Sequence, residues 1–200
     1  MKKLCLLALA AVSLLSATAQ ISVGAKGGLN VSNLSGIDNV NNFKAKALVG
    51  FHVGGFVTFN LGRHFAIQPE LLYSTQGAKL ENATDDLKLN YFNIPVMVKL
   101  LTKKGFYVEA GPQLGFRVGD VDFSSGTSVN NSVKNSDLSG CFGLGFQPTK
   151  SPFGIGARYN VGLGKAGEFT GASVNNADYK NGVFQLSLYW RLFGGGKLKE

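Results

Sequence analysis

Gly182-Val183-Phe184-Gln185-Leu186-Ser187-Leu188-Tyr189-Trp190-Arg191-Leu192-Phe193 is the last apolar stretch of the 200-residue chain. Phe184, Leu186, Leu188, Trp190 and Leu192 alternate with Val183, Gln185, Ser187, Tyr189 and Arg191. Successive side chains of a strand point to opposite sides, so a repeat of two predicts a β-strand with one apolar and one largely polar face. The fold turns on which medium that apolar face meets.

Working outward, the same alternation recurs seven more times. It predicts strands over 21–31, 47–60, 64–76, 88–101, 106–118, 138–147 and 152–163, besides 182–193. Apolar spacing at three and four residues is absent, and Gly (27 residues) and Pro recur too often for helices. The connections alternate in length. Leu61-Gly62-Arg63, Lys103-Lys104-Gly105 and Pro148-Thr149-Lys150-Ser151 are short, whereas 32–46, 77–87, 119–137 and 164–181 are long and rich in Asn, Ser, Gly and Asp. Short turns at one end and long loops at the other are the layout of an antiparallel up-and-down transmembrane β-barrel, with turns periplasmic and loops extracellular. The expected fold is all-β with eight strands.

Parity then separates the faces. One holds residues such as Val49, Val53, Ile67, Leu71, Ile94, Val98, Val108, Leu114 and Leu144. The other holds Gly24, Gly28, Gly50, Gly54, Gln68, Asn93, Gly111, Gln113, Gly143 and Gly156, together with Lys26, His52, Glu70, Lys99, Glu109, Arg117, Arg158 and Arg191. The interior of an eight-stranded barrel is only just filled by side chains. Dozens of large apolar groups cannot fit there, whereas glycines and a few long polar chains can. The apolar face therefore points outward, into lipid. Phe59, Phe65, Phe106, Phe146, Phe153 and Trp190 lie on that face beside the short turns. Phe51, Tyr73, Phe92, Phe116, Tyr159 and Phe184 lie on it nearer the long loops, giving the two aromatic girdles expected at membrane interfaces. Counted from its turn, Phe142 is too close to Phe146 to join the second girdle.

The N-terminus is consistent with export. Lys2 and Lys3 precede an apolar run over 4–15 and then Ser16-Ala17-Thr18-Ala19, which reads as a signal peptide cut after Ala19. The expected organisation is a signal peptide at 1–19, a barrel over 20–193 and a short periplasmic tail over 194–200. Cys5 leaves with the signal, so Cys141 has no internal disulfide partner. The formal charge of +8 is dispersed rather than clustered, which argues against a nucleic-acid partner.

Three pieces carry a resemblance: Pro69-Glu70-Leu71-Leu72-Tyr73-Ser74 with Gln76-Gly77, Tyr91-Phe92-Asn93-Ile94-Pro95-Val96, and Tyr107-Val108-Glu109-Ala110-Gly111-Pro112-Gln113. In order and spacing they resemble the PorT-like outer membrane protein beta-barrel family of Bacteroidetes, small porin-type barrels with mostly no assigned reaction. The resemblance implies the outer membrane as location, with membrane lipid and the barrel-assembly machinery as partners. Some members serve secretion or gliding.

No catalytic, cofactor or metal residues are expected. Only His52 and His64 could act as bases. Hairpin register sets His52 diagonal to Ser74 and Glu70, a trio that a lumen location would keep from lipid substrates. No His/Cys/Asp cluster has ligand spacing, and Gly194-Gly195-Gly196 lacks the strand–helix context of a phosphate loop. The Lys103-Lys104-Gly105 turn pairs Thr102 with Phe106 and, up the ladder, Lys99 with Glu109, Tyr91 with Arg117, Ile94 with Leu114 and Phe92 with Phe116. Glu70 should find a cation among Lys26, Arg158 and Arg191. A lumen crossed by ion pairs predicts a structural or surface-interaction role through loops 32–46, 77–87, 119–137 and 164–181. The alternatives are a narrow porin for small solutes or an accessory component of a secretion system.

Overall fold

A computed structural model describes residues 20–35, 45–80, 87–122, 136–148, 150–163 and 180–194. The expected signal peptide, the tail beyond Gly194 and the middles of the four long loops lie outside the described residues. The strands are β1 (Gln20–Ser35), β2 (Ala45–Asn60), β3 (Phe65–Leu80), β4 (Leu87–Leu101), β5 (Phe106–Asp122), β6 (Ser136–Phe146), β7 (Phe153–Gly162) and β8 (Lys180–Phe193). Each pairs antiparallel with the next, and β8 pairs with β1 to close an eight-stranded barrel.

Several strands run further toward the long loops than the alternation predicts. β1 reaches Ser35, β3 Leu80 and β5 Asp122, while β2 begins at Ala45, β6 at Ser136 and β8 at Lys180. The extra residues are more often polar than apolar but still laddered, as Ser32–Ser35 of β1 are paired to Val183–Lys180 of β8. Backbone hydrogen bonding outlasts the apolar band, because a strand above the bilayer has no need of an apolar face. At the short-turn end His64, Gln147 and Pro152 fall just outside the strands, and at the long-loop end so does Leu163.

The short turns follow from their sequences. The Gly105 N–H donates to the Thr102 carbonyl at 3.0 Å and the Thr102 N–H to the Phe106 carbonyl at 2.8 Å, with Gly105 at φ +98°. A positive φ there is open to Gly at little cost. The resulting register sets Lys99 opposite Glu109, Tyr91 opposite Arg117, Ile94 opposite Leu114 and Phe92 opposite Phe116.

The outer wall is apolar along every strand, with Leu29, Phe51, Leu71, Val98, Val108, Leu144, Ile155 and Leu188 exposed. All twelve girdle aromatics sit on this wall, Phe59, Tyr73 and Phe146 half-buried by their neighbours. Near the short turns, the rings of Phe106 and Phe146 are 4.6 Å apart and Phe153 stacks on Trp190 at 6.2 Å. Toward the loops, Tyr73 touches both Phe51 (6.2 Å) and Phe92 (5.7 Å). Phe142 pairs with Tyr159, which pairs with Phe184, so the three residues are cross-strand neighbours on the outer wall.

The lumen also departs from expectation, since it is not filled by polar chains alone. Phe56, Tyr107 and Tyr189 form a buried cluster inside the wall, with ring centroids 5.7 Å (Phe56–Tyr189) and 6.3 Å (Tyr107–Tyr189) apart. Leu72 and Met97 are buried there as well. Glycine makes the room. A Cβ at Gly24 would strike the Phe56 ring, and one at Gly145 or Gly156 would strike the Tyr107 hydroxyl.

Candidate functional site: a charged plug across the lumen

Five ionisable side chains from five strands meet at mid-barrel. Lys26 comes from β1, Glu70 from β3, Lys99 from β4, Glu109 from β5 and Arg158 from β7; all are buried. Inward parity puts each in the lumen, and the stagger of the strands brings them to one level. Lys26 Nζ lies 3.0 Å from Glu70 Oε2. Arg158 donates Nη1 and Nη2 to Glu70 at 2.9 and 2.7 Å and Nε to Glu109 Oε1 at 2.8 Å. Lys99 Nζ lies 3.4 Å from Glu109 Oε2. The guanidinium fork suits this bridging role because its donors are planar and fixed. Strands β7 and β3 are four apart around an eight-stranded ring, so the Arg158–Glu70 pair spans its full width.

Three cations share two carboxylates, and aromatic faces take up the excess. Lys99 Nζ lies 4.1 Å from the Tyr107 ring centroid and 4.9 Å from that of Tyr189, and Lys26 Nζ lies 5.2 Å from Tyr189. A ring's negative face attracts a cation most where water is excluded. Gln68 completes the layer, donating to Glu70 Oε1 at 2.8 Å and accepting from Thr58 at 2.8 Å.

A second layer, nearer the long loops, is built around Asn30. Its Nδ2 donates to Ser74 Oγ at 2.9 Å and to the carbonyls of Phe51 and Thr75, while its Oδ1 accepts from Gln185 at 3.1 Å. His52 bonds Asn30 Oδ1 through Nδ1 at 2.7 Å and Ser187 Oγ through Nε2 at 3.0 Å. His52 therefore does not form the trio that hairpin register suggested. It stands directly opposite Ser74 rather than diagonal to it, and Glu70 stands opposite Phe56. Ser187, His52 and Asn30 have the spacing of a nucleophile, a base and its orienting group. Yet all three are buried within the plug, at 6%, 1% and 0% exposure.

Of the remaining lumen candidates, Arg117 is inward and half-buried beside Tyr91, toward the loops. Arg191 lies at the opposite end, its Nη2 donating to the Pro148 carbonyl at 3.2 Å; the described ion pairs of Glu70 are with Lys26 and Arg158. Asn30, Gln68, Tyr107, Gln185, Ser187 and Tyr189 were not singled out from sequence as plug residues. The signal for the two tyrosines was available: both share the inward parity with the glycines they lean over.

An eight-stranded antiparallel barrel with an apolar, aromatic-girdled wall and a packed polar interior is a bacterial outer-membrane barrel. The chain belongs to the outer membrane protein beta-barrel domain family, whose pattern matches residues 16–167. It resides in the outer membrane, its wall in contact with membrane lipid. Among solved structures it is similar to Neisserial surface protein A (14% identity, TM-score 0.58), covering 86% of this chain and 99% of that one. Weaker likenesses are to Ail of Yersinia pestis bound to the heparin analogue sucrose octasulfate (16%, covering 86% and 99%, TM-score 0.49) and OprG of Pseudomonas aeruginosa (11%, covering 87% and 96%, TM-score 0.47). At these identities the likeness speaks to fold alone. No curated protein matches in sequence.

Proposed function

We propose that the protein is a non-catalytic surface-interaction barrel. Its closed wall anchors it in lipid, and its four long loops meet an extracellular ligand or protein. The observation that carries this reading is the plug, in which Arg158 joins Glu70 on the far wall to Glu109 beside it, with a lysine on each carboxylate. A packed charge network is a poor conduit but a rigid base for loops. Buried serine, histidine and carboxylate groups with protein partners likewise favour support over catalysis. The sequence motifs that resemble the PorT-like Bacteroidetes group support that narrower placement, and folding through the barrel-assembly machinery is part of the same reading.

Planar-bilayer recording of the purified barrel tests the reading. The expected trace lacks steady channels. Stable conductance in the unaltered protein would instead favour the narrow-porin reading, and stoichiometric co-purification with translocation components from intact outer membrane would favour the secretion reading.

A further inference from the structure

The described turns at the short-turn end carry charge of one sign. Their charged residues are Arg63, Lys103, Lys104 and Lys150, all on exposed positions, with no carboxylate among them. Apart from Glu70 and Glu109 in the plug and Glu200 near the terminus, every carboxylate of the chain lies by sequence at the long-loop end. Three of the four cations are neighbours. The Gln147 N–H donates to the Gly105 carbonyl at 2.8 Å, tying the turn of Lys103 and Lys104 to the one that carries Lys150.

Directly beside these turns the lipid-facing wall is indented. Ala157 pairs with Leu144 on one side and Leu186 on the other, so one methyl group stands between two long side chains. The hollow over it measures about 590 Å³ and is closed on the turn side by Phe106, Phe146 and Leu188. That volume lies within the ~300–1,000 Å³ typical of ligand sites. Phe106 follows Gly105 directly, and Phe146 immediately precedes Gln147. Apolar hollow and cationic rim are thus contiguous, in the order in which a phospholipid of the periplasmic leaflet presents acyl chain and phosphate.

We propose that this corner binds an anionic glycerophospholipid of the periplasmic leaflet, one acyl chain lying in the hollow over Ala157 and the phosphate held by Lys103, Lys104 and Lys150. The site is separate from the loops and from the plug, so it stands whatever the loops bind.

Trp190, the chain's single tryptophan, reports on it. It lies two residues from Leu188 on the same face and stacks on Phe153. The barrel is reconstituted in phosphatidylcholine vesicles containing a minor fraction of either brominated phosphatidylglycerol or brominated phosphatidylcholine, and Trp190 quenching is compared. Phosphatidylglycerol should quench at lower mole fraction, with a preference of about fivefold for each lysine engaged, falling at high salt. Lys103→Gln/Lys104→Gln/Lys150→Gln should erase the preference, and Ala157→Phe, which fills the hollow from outside the wall, should reduce it. Retained gel heat-modifiability shows that each variant is folded. Equal quenching by the two lipids in the unaltered protein overturns the site without need of any variant. A preference that survives either substitution overturns it as well. Lysine-dependent binding to isolated peptidoglycan without a lipid preference would assign the rim to the cell wall instead.

Discussion

At the residue scale, the plug is held by a few charges with unequal roles. Glu70 receives Lys26, both terminal nitrogens of Arg158 and Gln68, whereas Glu109 receives the Arg158 Nε and a longer contact from Lys99. Removing one partner from a buried network leaves the others uncompensated, at a cost of about 3–5 kcal/mol. Glu70→Gln should therefore lower the temperature at which the barrel loses its compact gel mobility, and lower it more than Glu109→Gln does. An equal or reversed order would mean that the plug is not organised around Glu70. Charge count predicts a further asymmetry. Either Glu→Gln change leaves three cations with one carboxylate, whereas Arg158→Gln leaves two of each. Arg158→Gln should thus be no worse than Glu70→Gln despite losing three short hydrogen bonds, and melting the two variants side by side checks this.

At the element scale, two turn glycines separate backbone strain from crowding. Gly62 has φ +130° with nothing within 4 Å of where a Cβ would sit, while Gly105 has φ +98° and a Cβ there would lie 2.8 Å from the Gln147 carbonyl oxygen and the Pro148 Cα. Gly62→Ala should incur the conformational cost alone, about 1–3 kcal/mol. Gly105→Ala should exceed it and slow refolding into detergent, because it also pries apart the β4–β5 and β6–β7 turns. Comparable effects of the two would show that contact between the turns is unimportant. The strands and the β4–β5 register were readable from sequence because a period of two and a Lys-Lys-Gly turn are local signals. The β2–β3 register was not: β3 starts at Phe65 rather than His64 and Asn60 pairs with Ala66, so the connection is longer than Leu61-Gly62-Arg63 and the unbroken ladder brings His52 to Ser74. Hydrophobic alternation carries no signal for that added loop length. Phe56, Tyr107 and Tyr189 escaped for a related reason. Their inward parity was legible, but the space that admits them comes from glycines on other strands, which only the closed barrel brings near.

At the scale of the whole molecule, lipid is the solvent of the outer wall and the plug is its core. Leu188, 67% exposed on the outer wall, lies toward mid-bilayer, so Leu188→Arg should cost about 2–4 kcal/mol and impair assembly. Protease added to whole cells should cut within 123–135 or 164–179 before any short turn; cutting only after permeabilisation would mean that the barrel sits inverted. The most direct measurement is a nitroxide scan along β8, positions 183–192, in lipid vesicles and in a background without native cysteines. Collision with dissolved oxygen should be high at Phe184, Leu186, Leu188, Trp190 and Leu192 and low at Val183, Gln185, Ser187 and Tyr189, with a water-soluble nickel chelate reaching neither set at mid-strand. Chelate contact at 185, 187 and 189 would reveal an open, wet lumen, and loss of the alternation would contradict a lipid-facing wall around a filled core.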